Sequence, residues 1–143
     1  MSKPTLCVDF DGVIHSYTSG WKGADTIPDP PVPGALDWLR RAQEFWEVNI
    51  YSSRTSQPGG IEAMIRYLEI RAMDEWNDSN AVSGFMMDLV FPEQKPAAFL
   101  TIDDRAICFN GNWDDLDPKR LLDFKPWYKW RTVDGRQRAN PAL

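Results

Sequence analysis

The run LCVDFDGVI at residues 6–14 limits what this chain can fold into more than any other stretch. Apolar residues lead straight to two aspartates two positions apart, and a glycine follows. Residues i and i+2 of a strand face the same way, so an extended Asp9-Phe10-Asp11 aims both carboxylates at one place. Gly12 then lets the chain turn sharply and pass close to a ligand. Two carboxylates held together repel unless a cation or a proton lies between them. Residues 5–10 show no polar alternation, which predicts a strand covered on both faces, as in a parallel sheet.

A chain of 143 residues is long enough for one domain with a real core. Its 43% hydrophobic content and seven tryptophans exclude a disordered chain. A net charge of −5 gives no general affinity for nucleic acid or anionic membrane, though it leaves room for a local basic patch. No apolar run approaches the roughly 20 residues of a membrane span. Met1-Ser2-Lys3-Pro4 runs straight into a strand-like segment, so no secretory h-region is expected. Cys7 and Cys108 sit in apolar segments far apart, so both are predicted as buried thiols outside any disulfide. These features together point to the cytoplasm.

The rest of the chain alternates. Residues 15–33 hold Ser, Gly, Asp and prolines around Tyr17 and Trp21; a loop of that length in a compact domain is usually functional or disordered, and the aromatics favour the functional reading. Pro33-Gly34 opens a helix with Ala35, Trp38, Leu39, Ala42, Phe45 and Trp46 on one stripe. A strand over 48–51 runs into Ser52-Ser53-Arg54-Thr55. Pro58-Gly59-Gly60 leads to a second helix carrying Ile61, Met64, Ile65, Leu68 and Ala72, which turn formers end at 76–80. Strands are expected at 86–91 and 97–102, the latter followed by Asp103-Asp104-Arg105. A fifth is expected at 106–109, and Asp117-Pro118 opens a short last helix. This order is that of an α/β domain with a parallel sheet wrapped by helices.

Ligands of such sheets bind beyond the carboxyl ends of the strands. Asp9/Asp11, Ser52/Arg54, Lys95 and Asp103/Asp104 all fall there in this reading. Carboxylates suit Mg²⁺, which takes one or two of them with waters and phosphate oxygens. A hydroxyl and a lysine suit a phosphate. A carboxylate beside Mg²⁺ can act as nucleophile through an aspartyl-phosphate. Arg54 has two readings, a substrate ligand or the partner of an acidic residue at the sheet edge, and Arg105 is equally ambiguous.

The ordered set resembles the haloacid dehalogenase (HAD) superfamily. Asp9-Phe10-Asp11-Gly12-Val13 matches its first motif and Ile50-Tyr51-Ser52 its second. Lys95-Pro96 matches its third and Leu100-Thr101-Ile102-Asp103-Asp104 its fourth. Each motif alone is weak, but the four occur in family order across residues 9–104. The resemblance implies a three-layer, Rossmann-like parallel sheet flanked by helices over residues 1–124, with 125–143 an aromatic and basic tail rather than a domain. It implies a Mg²⁺-dependent phosphomonoester hydrolase. Asp9 is then the nucleophile and a metal ligand. Asp11 is acid and base, and its backbone carbonyl is also a metal ligand. Ser52 and Lys95 hold phosphoryl oxygens, with Ser53 and Arg54 beside them. Asp104 is the direct metal ligand and Asp103 supports it. Dehalogenating members lack the second aspartate of the first motif, so Asp11 points to phosphate esters.

Only 42 residues separate Asp9 from Ser52, and 42 separate Ser52 from Lys95. Neither gap holds a large cap domain, so an open site is expected, suited to a polynucleotide end or a nucleotide, in a monomer or homodimer. Ile102-Asp103-Asp104-Arg105 also looks like the matching stretch of polynucleotide 3′-phosphatases in this superfamily. The tail FKPWYKWR at 124–131, followed by Arg136 and Arg138, interleaves bases with aromatics; it reads equally as a strip for bases and phosphates or as packing. His15 reads as structural or simply exposed rather than catalytic. Two other functions compete: a small-metabolite phosphatase covered by the Trp21 loop or a second subunit, and a non-catalytic binding or regulatory protein that keeps the site.

Overall fold

The computed structural model describes residues 2–130 and the backbone of two short strands beyond them. The chain forms two compact units, Met1–Ile102 and Asp103–Leu143. The first is α/β. Its sheet has three parallel strands, β1 (Thr5–Val8), β2 (Glu47–Ile50) and β3 (Leu100–Ile102), in the order β2-β1-β3. Val8 of the central strand is in register with Ile50 on one side and Ile102 on the other. Leu6, Cys7 and Val8 are all buried, as the unbroken apolar run of a central parallel strand requires.

Helix α1 (Ala35–Ala42) follows Gly34 and buries Leu36, Leu39 and Ala42. It ends before the expected stripe does, leaving Phe45 exposed and Trp46 packed on Phe99 at 5.7 Å. Helix α2 (Gly60–Trp76) buries Met64, Tyr67, Leu68 and Ala72. These side chains join Leu6, Val8, Phe10, Ile14, Val48 and Ile50 in one core cluster. Tyr67 donates its hydroxyl to the Asp29 carbonyl at 2.8 Å, so a buried polar tip has its partner.

The expected strand at 86–91 is corrected. Asn77 closes α2 in the left-handed region, and Asp78 at once caps a third helix, α3 (Ser79–Asp88), by accepting from the Asn80 and Ala81 amides. The turn formers at 76–80 therefore mark a helix-to-helix junction, and α3 consumes Met86 to Asp88. All that remains of the strand is a parallel bridge of Val90 with Asn49. The strand expected at 97–102 shortens to β3. The fifth strand at 106–109 is absent, and the last helix is a 3-10 turn, Arg120–Asp123.

The second unit carries two further 3-10 turns, Trp113–Asp115 and Trp127–Lys129, and the antiparallel strands β4 (Thr132–Val133) and β5 (Arg136–Gln137). The cysteine expectation also needs correcting: Cys7 is buried but Cys108 is exposed, and the two form no disulfide. Among the described residues no helix is long and apolar enough to cross a membrane.

Gly60, the first residue of α2, has a role that composition does not reveal. A Cβ there would lie 1.8 Å from the Arg54 carbonyl oxygen, a backbone atom that cannot swing aside. Gly60→Ala is expected to destabilise the fold by about 1–3 kcal/mol through this overlap. Urea denaturation of the two proteins tests this, and an unchanged midpoint would refute it.

Candidate active site at the carboxyl edge of the sheet

β1 ends at Val8, and the chain then coils into a tight turn instead of staying extended through Asp11. The Phe10 carbonyl accepts from the amides of Val13, Ile14 and His15, while the Gly12 amide donates to the His15 carbonyl at 2.8 Å. Gly12 holds φ at 79°, which a side chain would strain. The turn carries His15 back onto Asp11.

Asp11 is gripped on both carboxylate oxygens. Arg54 Nε donates to Oδ2 at 2.9 Å and Nη2 to Oδ1 at 3.0 Å, a bidentate fork. His15 Nδ1 lies 2.8 Å from Oδ1. The other ring nitrogen, Nε2, accepts from the Asp29 amide at 3.1 Å, so the proton of a neutral imidazole sits on Nδ1 and points at Asp11. His15 is buried among Phe10, Tyr17 and Tyr67. Asp29 in turn accepts from the Ser19 amide at 2.8 Å and its hydroxyl at 2.5 Å. Tyr17 is held at φ 61°, a conformation costing about 1 kcal/mol or more for a non-glycine residue.

Of the two roles open to Arg54, the structure shows the acidic partnership. Its side chain is fully buried. Nη1 donates to the carbonyls of Gly23, Ala24 and Thr26 at 2.7, 3.0 and 3.1 Å, and Trp21 stacks 4.7 Å from Cζ. Ser52 is buried, and its hydroxyl oxygen accepts from the Arg54 amide at 3.1 Å. This local turn sets the hydroxyl at the end of β2. Ser53 and Lys95 are exposed.

Asp9 directly follows Val8, and its amide donates to the Ile102 carbonyl at 2.9 Å. Asp103 and Asp104 directly follow Ile102, the register partner of Val8. Each of these residues offers hard carboxylate oxygens, the type that Mg²⁺ takes. Asp103 Oδ1 also accepts from the Arg105 amide at 2.9 Å.

In the second unit Arg105 Nη2 reaches the Tyr128 hydroxyl at 3.4 Å, and Trp130 Nε1 donates to the Lys125 carbonyl at 2.7 Å. Phe124, Trp127, Tyr128 and Trp130 are half-buried. Arg131 and Arg138 of the expected basic strip lie outside the described residues, and only the backbone of Arg136 is described.

Burial opposes the charge on Asp11, but the hydrogen bonds from His15 and Arg54 outweigh it and hold the carboxyl below its usual 3.8. A depressed folded value contributes stability above the unfolded value and loses it as pH falls through the folded one. The stability gap between wild type and Asp11→Asn is therefore expected to be full at about pH 6 and to shrink below about pH 4. Urea denaturation at several pH values measures it, and a gap that stays constant down to about pH 3 would count against this charge assignment.

His15, Asp29 and Trp21 escaped sequence reasoning as a unit. The available signal was the i, i+4 spacing of Asp11 and His15 across Gly12. Comparison with protein-family models, with curated proteins and with solved structures finds no match for this chain.

Proposed function

We propose that the chain is a Mg²⁺-dependent phosphomonoester hydrolase with the HAD-like, three-layer arrangement its motifs imply. One observation carries the reading. Three adjacent parallel strands in register, Val8 with Ile50 and Ile102, lead into Asp9, Ser52 and Asp103-Asp104 at one edge of the sheet. Motifs that are scattered in sequence thus come from neighbouring strand ends. In this reading Asp9 attacks phosphorus, and the phosphoryl oxygens are held by the Ser52 hydroxyl, Ser53 and Lys95. Asp9, Asp104, Asp103 and the Asp11 carbonyl would hold Mg²⁺, which when bound supplies positive charge against the phosphate oxygens.

Asp11 serves as acid and base. Its ionised form is the one that takes a proton from the water hydrolysing the intermediate. Delivering a proton to the leaving oxygen in the preceding step is opposed by both Arg54 and His15. Polynucleotide ends and nucleotides remain the preferred substrates, and a cytoplasmic setting suits two cysteines that form no disulfide.

The test is phosphate release by the purified chain with Mg²⁺, with Asp9→Asn as the blank. The panel holds an aryl phosphate, nucleoside monophosphates and oligonucleotides phosphorylated at either end. Turnover favouring the oligonucleotides supports the reading, and turnover confined to small esters shifts it to a metabolite phosphatase. No release above the blank refutes hydrolysis.

A further inference from the structure

Arg54 uses one planar group to hold two different parts of the edge. The Nε and Nη2 side of the guanidinium meets Asp11 as a fork, while Nη1 takes the carbonyls of Gly23, Ala24 and Thr26. The Trp21 ring closes over the group at 4.7 Å, with Phe10 at 6.0 Å on its ring side. Backbone sterics secure the far end, because Gly60 leaves room for the Arg54 carbonyl. Such a group cannot turn toward a substrate phosphate without dropping either the carboxylate or the loop.

We propose that Arg54 is a positioning residue that makes Asp11 and the loop segment 21–26 a single unit. The orientation of the carboxylate and the place of Trp21 are then set by the same guanidinium. Trp21, with 43% of its surface exposed, is held against the same guanidinium that grips Asp11. This inference rests on the acid/base role proposed for Asp11, but the clamp on the loop does not. Lysine cannot substitute: a point charge on a flexible stem offers neither the fork for two carboxylate oxygens nor a planar second end.

The experiment uses the full chain and the variant Arg54→Lys. Phosphate release from an aryl phosphate gives kcat and KM, and limited trypsinolysis compares cleavage after Lys22, in the loop, with cleavage after Arg66, on α2. Misplacing Asp11 is expected to lower kcat by about 10- to 100-fold while KM changes little. Releasing the loop is expected to raise cleavage after Lys22 by about tenfold and leave Arg66 unaffected. Unchanged cleavage after Lys22 overturns the clamp, and faster cleavage with an unchanged kcat overturns the positioning of Asp11.

Should Arg54→Lys fail to fold, Asp11→Asn takes its place in the tryptic arm, since it keeps the size of the side chain and removes the charge that the fork needs. Faster cleavage after Lys22 then supports the clamp, and cleavage at the wild-type rate overturns it. A wild-type chain inert on every ester refutes the phosphatase reading alone and leaves the clamp to trypsinolysis, which needs no turnover.

Discussion

Asp9→Asn should reduce phosphate release by at least about 10³-fold, to the level of a reaction without protein. The substitution is nearly isosteric. The backbone that places residue 9 is fixed by its own amide on the Ile102 carbonyl at 2.9 Å, a bond that Asn retains. What is lost is the anionic oxygen that forms the bond to phosphorus. A fall of this size with an unchanged melting temperature therefore reports chemistry and not folding. Asp11→Asn should fall nearly as far, by removing the group that moves the proton, while leaving Mg²⁺ binding by calorimetry largely intact. An Asp9→Asn protein that keeps more than about a tenth of wild-type turnover would remove the nucleophile from the scheme. An equal loss of Mg²⁺ affinity in both variants would instead undo the division of labour between the two aspartates.

The central strand was legible because burial on both faces leaves one signature, an apolar run with no alternation, and residues 5–8 have it. The ends of β2 and β3 were legible for a related reason, since polar residues resume abruptly at Ser52 and Asp103. Between these, local signals misled where they had two meanings. Asn77-Asp78 ends one helix and caps the next with residues that equally make a turn, so the sequence does not distinguish a helix that takes Met86 from a strand there. Phe45 and Trp46 continued the apolar period of α1 past its true end at Ala42, because periodicity records where apolar residues fall and not which element buries them.

The site shows the same division. The places of Asp9, Ser52 and the Asp103-Asp104 pair just beyond strands were visible because polar residues resume there. The network around Asp11 was not, since Arg54, Gly23, Ala24, Thr26 and Asp29 converge from segments that no spacing rule connects. The notion of two aspartates facing one site assumed an extended chain through residue 11. Gly12 instead starts its turn early enough to draw Asp11 into a buried pair. The repulsion between neighbouring carboxylates is thus relieved at Asp11 by Arg54, a cation supplied by the protein itself.

Arg54→Gln is expected to cost about 3–5 kcal/mol of folding stability, the range for removing one partner of a buried ion pair. The reason lies in what remains behind. Asp11 would keep the His15 proton but lose both cationic donors while staying largely buried, and an unpaired buried charge carries the full cost of leaving water. The carbonyls of Gly23, Ala24 and Thr26 would lose Nη1, and the Trp21 ring would lose the group it covers. Part of this loss should return at low pH, where protonation relieves the stranded carboxylate. It should return as well in the double variant Arg54→Gln, Asp11→Asn, in which neither member is charged. Urea denaturation of the two single variants and the double variant gives the coupling directly. A loss below about 1 kcal/mol in Arg54→Gln would mean that the pair is no stronger than one at an exposed surface. Additive losses in the double variant would show that the two residues stabilise the fold independently, and the single network drawn around Asp11 would have to be given up.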